Sequence, residues 1–311
     1  MKEVLITGSE GFVGRHLRRE FEEYGYDVSG TTLKDEDGLP ENTFQCNILD
    51  VASLERIIGE RKPEVIFHLA GQPKPGLSFE APAMTFEINT IGTVNLLEAV
   101  KSIKNYHPRI LLVGSSEEHG AVAEKNLPIT EETPLNPLNP YAISKVATWY
   151  LAQEYHRTFG FDIIYITPFN HTGPGQAIGF LAPDVASQIA YLEKKGGEPV
   201  IVTGDLSSKR DISDVRDVVR AYRLLTEKGA SGERYIVSSG KSILVSEIVM
   251  KLISLSAMPL KHGIDPRRSR PSEFKDLYGS HEKLTAATGW EPEIELEQTL
   301  LDLLNWYREQ V

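Results

Sequence analysis

The sequence predicts an α/β protein: a doubly wound parallel sheet with a smaller C-terminal substrate-binding lobe. Three observations carry this. Short β-like runs alternate with longer helical ones through the first half. Several of those runs are almost continuously apolar, as parallel strands covered on both faces are. After residue 167 the texture changes to "PFNHTGPGQAIGFLAP", a Gly- and Pro-rich stretch too long for a plain connection.

In order, "EVLIT" (3–7) is the first strand, and "TGSEGFVG" (7–14) leads from it into a helix over 13–25. "DVSGTT" (27–32) and "TFQCNI" (43–48) are further strands, and Asp50 precedes a helix over 51–62. "EVIFHLA" (64–70), a long helix over 82–103, "RILLVGS" (109–115), a helix over 140–160 and "DIIYIT" (162–167) complete the first half. Gly25 and Gly160 stand where helices should close. Later helices are expected at 183–195, 214–228, 245–255 and 296–309, with strands near 200–203 and 234–238. Residues 1–167 read as a nucleotide-binding core. Residues 168–311 read as mainly a substrate lobe, with some elements returning to the core.

With 311 residues, 41% of them hydrophobic, the chain can bury a substantial core. A net charge of -11 argues against nucleic acid as a partner, since phosphate backbones want a basic stripe. A few local arginines can still hold a small anionic substrate. The one cysteine, Cys46, rules out an internal disulfide framework and suits a reducing cytoplasm, where a buried filler is expected at this position. The apolar run at the N-terminus is too short for a signal peptide, and no stretch approaches 18 apolar residues. The expectation is a soluble cytoplasmic protein without a membrane partner and without a metal site.

Gly8, Gly11 and Gly14, with Phe12 and Val13 between them, sit directly after the first strand and open the first helix. Glycines there permit a tight turn and close approach of a pyrophosphate to backbone amides at the positive end of the helix. At the end of the second strand, where an acid would bind a ribose 2′-hydroxyl, stand Thr31 and Thr32, with no carboxylate before Asp35. The cofactor is NADP or NAD, and the missing acid with Lys34 nearby leans toward NADP.

"NPYAISK" puts Tyr141 and Lys145 four apart, on one helix face. A lysine ammonium one turn away is expected to lower the phenol's pKa. Ser115, at the end of another strand, would hold a substrate oxygen against Tyr141 while hydride reaches carbon. Such a Tyr-Lys spacing alone is often merely structural; together with the glycine turn and the serine it points to proton transfer.

"TGSEGFVG", "HLAGQ" (68–72), "SSE" (115–117) and "YAISK" (141–145) together resemble the extended short-chain dehydrogenase/reductase (NAD-dependent epimerase/dehydratase) family acting on nucleotide sugars. The resemblance covers the whole chain and implies a Rossmann-type core with a nucleotide-sugar lobe. It implies adenine contacts at Asn47 and Ile48, a cofactor cleft lined by Leu69, Ala70, Gln72 and Asn89, and further cofactor contacts at Pro168 and His171. His68 is expected to be a packed strand-end residue. The long helices at 82–103 and 140–160 resemble those that pair in homodimers of this family; their apolar residues would otherwise serve the core.

"PFNHTGPGQAIGFLAPDVASQIA" (168–190), "GDLSSKRDISDVRDVVRAY" (204–222) and "RPSEFKDLYG" (270–279) resemble GDP-4-keto-6-deoxy-D-mannose reductases and, less closely, GDP-mannose 4,6-dehydratases. That resemblance implies a GDP-sugar partner. Asn170 and Arg210 would contact its pyrophosphate, Arg270 and Glu273 its ribose and base, and Ser116, Glu117 and Leu181 the remainder of the site. Converging arginines suit a diphosphate, because their bonds to it are charge-assisted. Glu117 aligns with the glutamate by which dehydratases remove the C5 proton, so a dehydratase or a 4-epimerase stays open beside the reductase. A catalytically silent dinucleotide-binding scaffold is the non-enzyme alternative, and the intact Ser115, Tyr141 and Lys145 speak against it. Glu118 is expected to face solvent. His119 departs from the family pattern, which has tyrosine there, and Thr167 stands where arginine is usual.

Overall fold

The computed structural model describes residues 2–34, 38–268 and 275–311. Its centre is a seven-stranded parallel sheet. β1 (Glu3–Thr7), β2 (Asp27–Thr32), β3 (Thr43–Gln45), β4 (Val65–His68), β5 (Arg109–Val113) and β6 (Asp162–Pro168) come from the first half. Between them run α1 (Phe12–Glu23), α2 (Val51–Arg61), α3 (Pro75–Glu80), α4 (Pro82–Phe86), α5 (Gly92–Ser102) and α6 (Pro140–Phe159). The second half contributes the short strands β7 (Asn170–Thr172), β8 (Val200–Thr203), β9 (Lys209–Arg210) and β10 (Ile212–Asp214), then β11 (Arg234–Val237), β12 (Ile243–Leu244) and β13 (Lys261–Ile264). Its helices are α7 (Leu181–Lys195), α8 (Val215–Lys228), α9 (Val245–Ser254), α10 (Glu282–Thr288) and α11 (Leu296–Gln310). The sheet order β11-β6-β5-β4-β1-β2-β3 is doubly wound about β1, and β11 is the late element that joins its edge.

Alternation along each strand sends side chains to opposite faces. Val4 and Ile6 enter one core with α1 and α8, while Leu5 enters the other with α2, α5 and α6. Ile164 and Ile166 against Ile163 and Tyr165 repeat the pattern on β6. A third apolar cluster joins α7, α9 and α11 through Val185, Ile189, Ile248, Leu252, Leu300 and Leu304, away from the sheet. The helix ends follow local chemistry. The Asp50 side chain caps α2 through the Ser53 amide at 3.2 Å, and Asn139 caps α6 through Ala142 at 2.8 Å with Pro140 in the first turn. Gly160 closes α6 at φ 70°.

The helix expected over 82–103 is broken. Between α4 and α5 the chain forms a π-turn at Glu87–Ile91, a distortion that often marks a functional position. Asn89 lies in that turn, its side chain tied to Gln72 and Ser144. Cys46 is buried and burial pushes its thiol up to about 11, in keeping with a filler. No helix among the described residues is long and apolar enough to cross a membrane.

Candidate active site

The strand ends Thr7, Thr31, His68, Val113 and Pro168 all open toward one edge of the sheet, where the candidate residues collect. The glycine turn is tightly built. Gly8 holds φ 71°, and a Cβ there would lie 3.0 Å from the backbone of Ala70. A Cβ on Gly14 would lie 2.4 Å from the Gly8 carbonyl oxygen. Gly11 caps α1 without a side-chain bond, so the first-turn amides keep no side-chain acceptor of that kind. This cradle fits a dinucleotide pyrophosphate. Phe12 stacks on His171 with ring centroids 6.1 Å apart, which brings the 168–176 loop over the turn. Val13 packs on the core beside it.

Thr31 is buried in β2, and the next residues keep Thr32 buried and Lys34 exposed. Ile48 is buried under Gly92, Asn47 is exposed, and Leu69 packs on the core at the end of β4. The Ala70 amide donates to Thr7 Oγ1 at 3.2 Å. Gln72 receives its place from Asn89, whose Oδ1 accepts from the Gln72 amide at 2.7 Å. His68 is buried, bonded to Thr7 Oγ1 at 2.9 Å, and pushed down to about 3 by burial and then by Lys145; it is the neutral strand-end residue expected.

Ser115, two residues past β5, is extended and caps the short turn Ser116–His119. Its Oγ accepts from the Glu117 amide at 3.3 Å, leaving its own proton free to be donated. It lies close enough to the Tyr141 phenol to act on its pKa. Lys145 Nζ lies 5.9 Å from the Tyr141 ring centroid and donates to the Val113 carbonyl at 2.8 Å. These three residues, from the turn after β5 and from α6, meet beside the glycine turn: a Cβ on Gly71 would lie 3.1 Å from Asn89 and 4.0 Å from Lys145 Nζ. Ser116 is buried in the same turn.

The expected lowering of the Tyr141 pKa is not what the structure gives. Burial pushes it up, the charge of Glu117 adds to that, and Ser115 only partly opposes them. Burial also brings Lys145 down to about 8. The phenol therefore keeps its proton at neutral pH, which is the form a carbonyl reduction consumes.

Glu117 is held from α6: Asn139 Nδ2 donates to its Oε2 at 2.8 Å. Arg210, on β9, feels Glu117 first and Asp276 second among the charges raising its pKa, against a larger lowering by burial. An open cleft of about 580 Å³ runs past Lys209, lined also by Val122, Leu127, Lys275 and Asp276. Asn170 is exposed on β7, Pro168 is buried at the end of β6, and Leu181 opens α7 against the third cluster. Arg270 and Glu273 lie outside the described residues.

Glu118 is a correction. It is 0% exposed, because its side chain turns back under Ser115 instead of outward. Residues missed in the sequence are Asn139, Tyr165 and Arg234. Asn139 had a signal, since Asn before Pro starts helices; Tyr165 reaches the region through pairing of β6 with β5, and Arg234 through pairing of β11 with β6. His119 is buried against Arg234, and Thr167 is buried with its hydroxyl unpartnered. Among the described residues no group of three or more His, Cys, Asp or Glu is placed to hold a metal.

The doubly wound sheet, the glycine cradle and the Ser-Tyr-Lys grouping define a dinucleotide-binding enzyme fold, and the chain belongs to the GDP-mannose 4,6 dehydratase family, whose sequence model matches residues 5–303. It is 35% identical to GDP-6-deoxy-D-mannose reductase of Pseudomonas aeruginosa over 308 residues, covering 99% of this chain and 98% of the relative. It is 27% identical to GDP-mannose 4,6-dehydratase of Yersinia enterocolitica, covering 98% of this chain and 93% of the relative. The structure of RMD from Pseudomonas aeruginosa complexed with NADPH superposes with a TM-score of 0.91 at 34% identity, covering 100% of both chains. UDP-glucose 4-epimerase of Thermotoga maritima, solved with UDP-glucose, gives 0.86 at 26% identity, covering 99% of both.

Proposed function

We propose that the protein reduces the C4 ketone of a GDP-4-keto-6-deoxyhexose, turning GDP-4-keto-6-deoxy-D-mannose into GDP-D-rhamnose. The observation that carries this reading is the meeting of Ser115, Tyr141 and Lys145 beside the glycine cradle, with the Tyr141 phenol held protonated. A dinucleotide whose pyrophosphate lay against Gly8, Gly11 and Gly14 would supply the hydride from its reduced nicotinamide. Ser115 donates to the ketone oxygen and holds it at Tyr141. As negative charge develops on that oxygen, Tyr141 gives up its proton, and the Lys145 ammonium, fixed to the Val113 carbonyl, stabilises the phenolate left behind.

Residues 168–311, read as mainly the nucleotide-sugar lobe, would present Asn170 and Arg210 to the diphosphate, with Leu181 and Ser116 beside the sugar. Thr31 and Thr32 in place of an acid, followed by Lys34, favour NADPH over NADH. Exposed Phe79, Met84, Ile91, Ile143 and Tyr150, along α3 to α6, support a homodimer built on these helices. A reduced, buried Cys46 is consistent with work in the cytoplasm.

A dehydratase reading is favoured by one observation, Glu117 held by Asn139 close enough to Tyr141 for its charge to act there. Turnover of GDP-4-keto-6-deoxy-D-mannose and of GDP-mannose, each with NADPH, NADH or neither, separates the two. The reductase consumes NADPH with the ketosugar only; release of a 4-keto-6-deoxy sugar from GDP-mannose without reductant overturns it.

A further inference from the structure

The proton transfer just described makes no use of Glu118, yet its carboxyl group is sealed directly beneath the site. Oε1 accepts from the Ser115 amide at 2.9 Å and from the Tyr165 hydroxyl at 2.6 Å, while Oε2 has no hydrogen-bond partner. The same hydroxyl lies 2.8 Å from the Lys145 carbonyl oxygen, so its one proton is shared between the Ser115 turn and α6. The chain reserves room for this: a Cβ on Gly114 would lie 2.2 Å from Glu118 Oε1 and 2.5 Å from the Tyr165 hydroxyl. Charged and titratable groups face the cluster from each packed element. Arg234 comes from β11, Lys145 and Tyr141 from α6, Tyr165 from β6 and His68 from β4; His119, in the same turn as Glu118, contacts Arg234.

A carboxylate with an unmade bond at zero exposure is expensive unless cations compensate it. Burial holds the Glu118 pKa above the ordinary carboxylate value; Arg234 opposes it most, then the Tyr165 and Ser115 bonds, and Lys145 last. A helix cap alone needs neither complete burial nor two cations.

We propose that Glu118 is a positioning residue of the reductase site, fixing Ser115 and, through Tyr165, the backbone at Lys145, while its charge sustains the Lys145 ammonium. The inference rests on the reading of Ser115, Tyr141 and Lys145 as the reacting set. Lys145 sits at about 8 because burial lowers it, and Glu118 is the group that opposes the lowering. Without that charge the ammonium is lost at lower pH.

Glu118→Gln tests this, since the amide keeps an oxygen for Ser115 and Tyr165 and removes only the charge. Carbon-13 spectra of ε-labelled lysine, with the Lys145 resonance assigned by Lys145→Met, give its titration midpoint in the full-length protein without substrate. The midpoint should fall by about one pH unit, the low end of what a neighbouring opposite charge contributes. The alkaline fall of kcat for NADPH-dependent reduction of the ketosugar should move with it, at a KM changed by less than about twofold. An unmoved midpoint in folded Glu118→Gln protein overturns the proposal whatever the activity. Wild-type protein inactive on the ketosugar would instead refute the parent reading, and the titration would still decide on Glu118. Tyr165→Phe keeps the charge and breaks the link. It should leave the midpoint in place and lower kcat about tenfold. Should the glutamine variant not fold, unchanged kcat in Tyr165→Phe overturns the proposal.

Discussion

Gly14→Ala should cripple cofactor binding although alanine is the better helix former by about 1 kcal/mol. The residue sits in the first turn of α1, where its ordinary backbone angles suit any side chain. The obstacle is steric. The new Cβ would lie 2.4 Å from the Gly8 carbonyl oxygen and 2.7 Å from that of Ser9, where real contacts do not fall below 3.0 Å. The turn must therefore open by about 0.6 Å, and neither carbonyl can swing aside as a side chain would. The Gly8 oxygen accepts from the Gly11 amide at 3.0 Å, so the displacement passes straight into the cradle. Losing one charge-assisted bond to the pyrophosphate costs about 1.5–3 kcal/mol, or roughly 10- to 150-fold in Kd. Fluorescence titration with NADPH measures it. Gly160→Ala is the control: at φ 70° with open space around its Cβ position it strains the α6 cap, lowering stability by about 1 kcal/mol without weakening NADPH. A Gly14→Ala affinity within about twofold of wild type, or equal weakening by Gly160→Ala, refutes the steric argument.

Tyr141→Phe should lower kcat for ketosugar reduction by about 10²-fold or more in steady-state assays while NADPH binding persists. Asn139→Ala removes both the α6 cap and the grip on Glu117; a stability loss of about 1 kcal/mol is expected by chemical denaturation. Glu193 is held down at about 2, first by its bond to Arg308 and further by the Ala257 amide and Ser256. Its folded pKa lies below the unfolded one, so its stabilisation is complete above about pH 5 and is lost as pH falls toward 2. Glu193→Gln should cost about 1–2 kcal/mol near neutrality after discounting for solvent screening, and melting curves should converge with wild type in acid.

The first six strands and most long helices were legible because parallel strands and amphipathic helices write their periods plainly. β1 and β2 match their expected limits, and β8 does as well. The π-turn at Glu87–Ile91 was not legible, since it depends on Asn89 bonding to Gln72 and Ser144 from other elements. Strands of two or three residues such as β7, β9, β10 and β12 carry no period to read. At the site, residue identities preceded geometry. The turn "SSEE" contains the Ser-x-x-Glu pattern of a capping box, and Ser115 and Glu118 form one. What the pattern does not carry is the burial of Glu118, which is set by Tyr165, 47 residues on, and by Arg234 beyond it. The Tyr141 phenol was misread for a similar reason. Helical spacing places Lys145 nearby, but burial first and Glu117 second push the phenol up.

The central claim is that hydride reaches C4 of a GDP-linked ketosugar while Tyr141 delivers the proton. Incubating the protein with GDP-4-keto-6-deoxy-D-mannose and NADPH deuterated at the transferable position tests it most directly, with the product read by NMR. The account predicts GDP-D-rhamnose carrying deuterium at C4 and nowhere else. A product without deuterium at C4, or no product beside an active dehydration of GDP-mannose, would contradict it.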